Sequence, residues 1–150
     1  MTTGKNTESE GSSEGKLPKA NHFKVLIVDD EPEIVEILSE YLTQFGYREV
    51  VTASDGAEAY EKAIKAVRDG DRFDFIISDW KMPNMTGIEL LEKIRKNPFY
   101  EKTPIVLLTE MDEADRVRHA VAVGVSDYIV KPFTQEILAA RLQKLNATLG

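Results

Sequence analysis

Four short stretches carry side chains that could do chemistry together: Asp29-Asp30-Glu31, Asp79, Thr109 and Lys131. Asp29, Asp30 and Asp79 would repel one another at close range, which is unfavourable without a counter-ion. A hard divalent cation relieves that repulsion, and Mg²⁺ needs only a couple of carboxylates while keeping several waters. Lys131 would add a second positive charge. A carboxylate beside a metal and an ammonium can attack phosphorus and form an aspartyl phosphate. The metal and Lys131 would then offset charge on the phosphoryl oxygens, and Thr109 could donate a hydrogen bond to one of them. Asp79 raises the sharpest question. In FIISDWKMPNM (75–85) an apolar strand ends on a carboxylate. Asp is a poor strand former, and a buried charge is costly unless it is paired or metal-bound.

These residues need elements to position them, and the sequence supplies an alternation. Strands are expected at FKVLIV (23–28), REVVTA (48–53), FDFIIS (73–78), TPIVLLT (103–109) and SDYIV (126–130). Between them run helical patterns. Pro32 opens a helix with Ile34, Val35, Ile37, Leu38, Leu42 and Phe45 at helical spacing, and Gly46 closes it. A second helix is capped by Asp55 or Ser54 and runs to about Arg68, before the turn DGDR. The third runs from about Thr86 to Lys96, with Ile88, Leu91 and Ile94 inward. The fourth runs from Asp112 to Val123, and the last from Thr134 to about Ala147. Strands apolar on both faces, separated by helices, predict an α/β fold with a doubly wound parallel sheet. Ligands of such sheets bind at the carboxyl ends of the strands. Asp29, Asp30, Asp79, Thr109 and Lys131 all fall at that edge.

Bulk composition narrows the function. The chain has 150 residues, 42% of them hydrophobic, enough for one domain with a real core. Residues 1–20 are rich in Ser, Thr, Gly and Glu and are expected to be a disordered tail, with the folded domain in 21–150. The tail charges cancel: Lys5, Lys16 and Lys19 against Glu8, Glu10 and Glu14. The net charge of −7 therefore belongs to the domain. That argues against nucleic-acid binding and suits a cation or a basic partner. No apolar run approaches the roughly 20 residues of a membrane span, and the start lacks a signal-peptide core. With no cysteine there is no disulfide and no thiolate metal site, so a cytoplasmic address is expected.

The segments VLIVDDEPEIVEIL, ISDWKMPNMTGIELL, PIVLLTE and SDYIVKPF resemble the receiver domain of two-component response regulators. The spacing agrees as well, with 30 residues from Asp79 to Thr109 and 22 from Thr109 to Lys131. The likeness covers about residues 23 to 148, and DWKMPNMTG is especially similar to the single-domain chemotaxis regulators. The resemblance implies a five-stranded, flavodoxin-like (βα)5 sandwich with strand order 2-1-3-4-5. It also implies that Asp79 accepts phosphate from a phosphohistidine on a histidine kinase or phosphotransfer protein. Asp30 would bind Mg²⁺ directly, Asp29 directly or through water, and the Lys81 backbone carbonyl would complete the protein ligands. Thr109 and Lys131 would grip the phosphoryl group. Tyr128 matches the family's switch aromatic, and Lys131–Pro132 its cis peptide.

Two departures from the family pattern stand out. Glu110 follows Thr109 where a small residue is usual, and its bulk and charge are expected to hinder phosphodonor entry. Lys81 and Met111 occupy positions that tune loss of the phosphoryl group to water, and are expected to shield it. The helix that follows Lys131 runs nearly to Gly150, so output is expected by binding. The expected face is formed by the fourth helix, fifth strand and fifth helix, with Val117, Val121, Tyr128, Val130 and Arg141. The protein is expected to be a monomer or weak dimer.

Blander readings of the same residues stand beside these. Asp29 and Asp30 could cap the helix opened by Pro32. Thr109 could be an ordinary strand end, Lys131 a solvated lysine and Tyr128 half-buried packing. Trp80, Met82 and Met85 are expected to pack, and His22 and His119 to lie on the surface. Rival functions also stay open. A metal-dependent phosphatase or phosphotransferase would use an Asp nucleophile, in a D-x-D motif where this chain reads Asp29-Asp30-Glu31. A flavin carrier of similar fold would need a phosphate loop that the acidic DDEPE disfavours. A receiver fragment or a phosphate sink is a third reading that the residues leave open.

Overall fold

The computed structural model describes residues 22–110 and 114–149, excluding the side chains of residues 114–117, 119, 148 and 149. The expected tail (1–20), Met111, and the side chains of Val117 and His119 thus lie outside the described residues. Five strands are seen: β1 (Lys24–Val28), β2 (Glu49–Ala53), β3 (Phe75–Asp79), β4 (Ile105–Thr109) and β5 (Asp127–Val130). They alternate with α1 (Pro32–Gln44), α2 (Gly56–Arg68), α3 (Gly87–Arg95), α4 (Ala114–Val123) and α5 (Gln135–Leu149). The pairings are all parallel, in the order β2-β1-β3-β4-β5. This is the expected flavodoxin-like sheet. Among the described residues no helix is long and apolar enough to cross a membrane.

Strand side chains alternate between two faces, and here both faces are buried. Leu26, Val28, Ile76, Ile105 and Leu107 point to one core with Ala59, Ala63 and Ala66 of α2 and Leu90, Leu91 and Ile94 of α3. Val25, Ile27, Phe75, Ile77, Val106 and Leu108 point to the other, with Leu38 and Leu42 of α1 and Leu138, Leu142 and Leu145 of α5. Small alanines on α2 let that helix lie close to the sheet. The expected packing of Trp80, Met82 and Met85 is observed in the first core. His22 is exposed, as expected.

The strands start one or two residues later than expected, for local reasons. Pro104 has no N–H to donate, so β4 begins after it. The Phe73 N–H turns to the Tyr100 hydroxyl at 3.4 Å, so β3 begins at Phe75. The Ser126 hydroxyl accepts from the Ile105 N–H at 3.0 Å, ahead of β5. In α1, Ile37 is 40% exposed rather than inward. The buried stripe runs through Ile34, Leu38, Leu42 and Phe45, and Ile37 sits about a quarter turn to its side. A short 3-10 turn, Pro98–Tyr100, was not expected. It buries Tyr100, whose hydroxyl donates to the Ala63 carbonyl at 2.8 Å.

Candidate functional site

The sheet order reverses direction between β1 and β3, and the two strands end side by side in register, Val28 opposite Ser78. The chain beyond β1 therefore meets the end of β3, as the switch-point rule requires. Asp29 follows Val28 directly. Its N–H donates to the Ala53 carbonyl at 3.1 Å, and its Oδ1 accepts the Glu31 N–H at 2.9 Å. Asp79 is the last residue of β3 rather than the first beyond it. Its Oδ1 accepts the Trp80 N–H at 2.9 Å. One oxygen each from Asp29, Asp30 and Asp79 lie within 4.8 Å of one another. The capping alternative for Asp29 and Asp30 is overturned, because the α1 N-cap is Glu31 and makes no side-chain cap bond.

The turn after Asp79 is held from two sides. Asn84 adopts a left-handed φ of 71°, and its Nδ2 donates to Asp55 Oδ2 at 3.0 Å. Gly87 donates to the Trp80 carbonyl at 2.8 Å and opens α3 directly beneath the strand end. A Cβ at Gly87 would collide with the Asp79 carbonyl, so only glycine fits this approach. Thr86 caps α3 in a capping box with Glu89.

Lys131 reaches in from the end of β5. Its N–H donates to the Thr109 carbonyl at 2.8 Å, tying the two strand ends together. The Lys131–Pro132 bond is cis. The ammonium lies 3.0 Å from Asp79 Oδ1, 3.3 Å from Glu31 Oε1 and 3.4 Å from Asp29 Oδ2. The Lys131 side chain is only 11% exposed, which removes the solvated-lysine alternative. A cleft of about 240 Å³ opens over the group, lined by Asp30, Asp79, Lys81, Thr109 and Lys131, together with Trp80, Glu31 and Glu110.

The charges do not balance. Burial pushes the Asp29 carboxyl up to about 6, against the lowering bond from the Glu31 N–H, and the Asp79 charge adds to the rise. Burial also raises Asp79, offset in part by Lys131. Burial alone would lower Lys131, but its bond to Asp79 and the charges around it prevail and push it up to about 12. An all-oxygen donor set with unneutralised, half-desolvated acids suits Mg²⁺. Among the described residues no hydrogen bond falls on the Lys81 carbonyl, so it is available as a further oxygen donor.

The site thus gathers Asp29, Asp30, Asp79, Lys81, Thr109, Glu110 and Lys131. Thr109 is buried, and its hydroxyl donates to the Glu110 carbonyl at 3.1 Å. Tyr128, Val121 and Val130 are exposed away from the cleft. Arg141 Nη1 donates to Asp127 Oδ1 at 2.6 Å and to the Tyr128 carbonyl at 2.9 Å. Glu31, which the sequence placed beside the Asp pair without a role of its own, shares Lys131 with Asp79. Its only sequence signal is adjacency to the Asp pair, because its partner lies 100 positions downstream.

Comparison with known proteins agrees with this geometry. Residues 25–143 match the family described as response regulator receiver domain. A chemotaxis protein CheY homolog from Campylobacter jejuni is 36% identical over 126 residues, 84% of this chain and 94% of that protein. The structure of the chemotaxis response regulator CheY4 of Vibrio cholerae superposes with a TM-score of 0.75 at 44% identity, covering 82% of this chain and 98% of that one. The receiver domain of a sensor histidine kinase from Pseudomonas aeruginosa, solved with a magnesium ion coordinated in its active site cleft, gives a TM-score of 0.66 at 29% identity. It covers 81% of this chain and 95% of that one. With fold, sequence and site edge in agreement, the chain belongs to the response regulator receiver domain family and is a CheY-like receiver of a two-component system.

Proposed function

We propose that this receiver is a switch operated by phosphorylation of Asp79, with a histidine kinase or phosphotransfer protein as donor. One observation carries the reading: the Lys131 ammonium stands 3.0 Å from Asp79 Oδ1 beside three acids that can share one ion. The Lys131 contact and the Trp80 N–H both fall on Oδ1, and among the described residues no hydrogen bond falls on Oδ2. Oδ2 is therefore assigned as the nucleophile. It forms a bond to phosphorus while the P–N bond of the donor phosphohistidine breaks, and the electron pair returns to the imidazole nitrogen. Asp29, Asp30, Asp79 and the Lys81 carbonyl would hold Mg²⁺, which when bound supplies positive charge beside the phosphoryl oxygens. Lys131 moves from Asp79 to a phosphoryl oxygen. The Thr109 hydroxyl leaves the Glu110 carbonyl and donates to another. The chain assists only its own phosphorylation and dephosphorylation, and turns over no separate substrate. Lys81, and Met111 from its place in the sequence alone, are assigned to slow the loss of the acyl phosphate to water.

Output follows from the Thr109 movement. Tyr128, 37% exposed here, turns inward and reshapes the face of α4, β5 and α5. Val121 and Val130 are exposed on that face, Arg141 is held there by Asp127, and Val117 is assigned from sequence alone. A target protein binds one conformer better and so reads the shift. We place the protein in the cytoplasm, as a monomer or weak dimer, in a chemotaxis relay like that of its named relatives. The test is incubation with acetyl phosphate and Mg²⁺, followed by intact mass. Wild type should gain one phosphoryl group and Asp79→Asn none. Equal labelling of both would overturn the assignment of Asp79.

A further inference from the structure

Glu31 is outside the acid triad yet sits on the catalytic ammonium. Its Oε1 is 3.3 Å from Lys131 Nζ, nearly as close as Asp79. Its side chain is 58% exposed while that of Lys131 is 11% exposed, so Glu31 covers the ammonium from the solvent side. Glu110 adds a second carboxylate to the same cleft, outside the triad. A free phosphate compound approaching from solvent thus meets acids before it meets Lys131.

We propose that Glu31 is a specificity-determining residue for the phosphodonor, occupying Lys131 so that free dianionic phosphate compounds are disfavoured. This rests on Asp79 as the acceptor. A donor that brings its own positive charge, such as phosphohistidine on a basic protein surface, neutralises Glu31 and releases Lys131. A dianion cannot, and pays the repulsion in full. The domain's net charge of −7 works in the same direction.

Two small donors of different charge test this. With acetyl phosphate, a dianion near neutral pH, a carboxylate oxygen of Asp79 bonds to phosphorus as acetate leaves. With phosphoramidate, a monoanion, ammonia leaves. At low ionic strength Glu31→Gln should load from acetyl phosphate about fivefold faster than wild type, the factor expected for one unit charge facing a dianion several ångströms away in water. The gain should be smaller with phosphoramidate and should shrink as salt rises. Glu31→Asp keeps the charge but is one methylene short of Lys131, so its gain should fall below that of Glu31→Gln. Mg²⁺ titration followed by Trp80, the single tryptophan, checks that each variant keeps its site. Equal rates for wild type and Glu31→Gln overturn the proposal, as does a gain that is independent of salt and of donor charge. Loss of Mg²⁺ binding in Glu31→Gln would make Glu31 a metal ligand and overturn it too. If wild type accepts phosphate from neither donor, the acceptor reading itself falls.

Discussion

Two lysines whose side chains are only 10% and 11% exposed sit at opposite edges of the same sheet, and their surroundings differ in kind. Lys24, at the amino edge, donates to the Asp71 carbonyl at 2.9 Å, lies 3.4 Å from Asp71 Oδ2 and sits 4.9 Å from the centre of the Phe73 ring. Arg48 joins the same Asp71 at 3.0 Å. With Glu49 Oε1 3.5 Å from Arg48 as well, two cations face two acids, and the Arg48 bond leads in holding Asp71 below the usual carboxylate range. Lys131, at the carboxyl edge, is one cation shared by three acids, and there Asp29 and Asp79 are raised. A structural cluster closes its own charge balance. A working site leaves the balance open for an ion or group that comes and goes.

The largest expected effect comes from removing each lysine in turn. Lys131→Met leaves the acids facing one another and should lower the stability of Mg²⁺-free protein by about 3 kcal/mol at neutral pH. The loss should shrink when acid protonates the carboxylates. Lys24→Met should lower stability by about 1 kcal/mol through its lost hydrogen bond, with little response to Mg²⁺. Urea unfolding with and without Mg²⁺ measures both, and equal, Mg²⁺-insensitive losses would erase the distinction between the edges.

The acids sharpen it further. The Asp29 carboxyl titrates at about 6 in the fold against an ordinary 3.8, so the folded state binds more protons between those values. Stability of the Mg²⁺-free protein should therefore decline as pH rises from about 4 through about 6, by at most about 3 kcal/mol. Asp29→Asn should flatten that decline and raise neutral-pH stability by about 2 kcal/mol, discounted for the lost Lys131 contact. It should also weaken Mg²⁺ binding. Unfolding curves at a series of pH values decide, and a rise in stability across that range would contradict the open charge balance.

The smallest effect belongs to Asp71. Its carboxyl is held low, so its contribution is present above the ordinary carboxylate value and fades as pH falls below it. Asp71→Asn should lower stability slightly, opposite in sign to Asp29→Asn, because the Asp71 side chain is 46% exposed and solvent screens it. A stabilising Asp71→Asn, read from the same unfolding curves, would mean that the two edges do not differ in sign.

Much of this was legible in the residues. Apolar runs bounded by Pro, Gly and Asp marked all five strands and helices, because period and capping are short-range properties. The Asp55 cap was readable for the same reason, and its side chain does accept the Glu58 N–H at 2.8 Å. Asp79, Thr109 and Lys131 were readable because their types are out of place at the ends of apolar strands. The strand starts were misjudged where Phe73 and Ser126 make bonds to residues 27 and 21 positions away. Tyr100 was invisible as a core residue, since its partner Ala63 is 37 positions distant. Ile37 fits the helical spacing, yet its exposure depends on how α1 is rotated against the sheet.

By itself, then, the chain's order of residues determined the alternation of elements and which chemical groups stand at the strand ends, because each depends on neighbours a few positions apart. Only the tertiary structure decided that β1 and β3 lie side by side, that a single ammonium serves Asp79, Asp29 and Glu31, and that Glu31 rather than Asp30 covers it. Those facts are distances between atoms about 50 to 100 residues apart along the chain, set by packing two cores against one sheet.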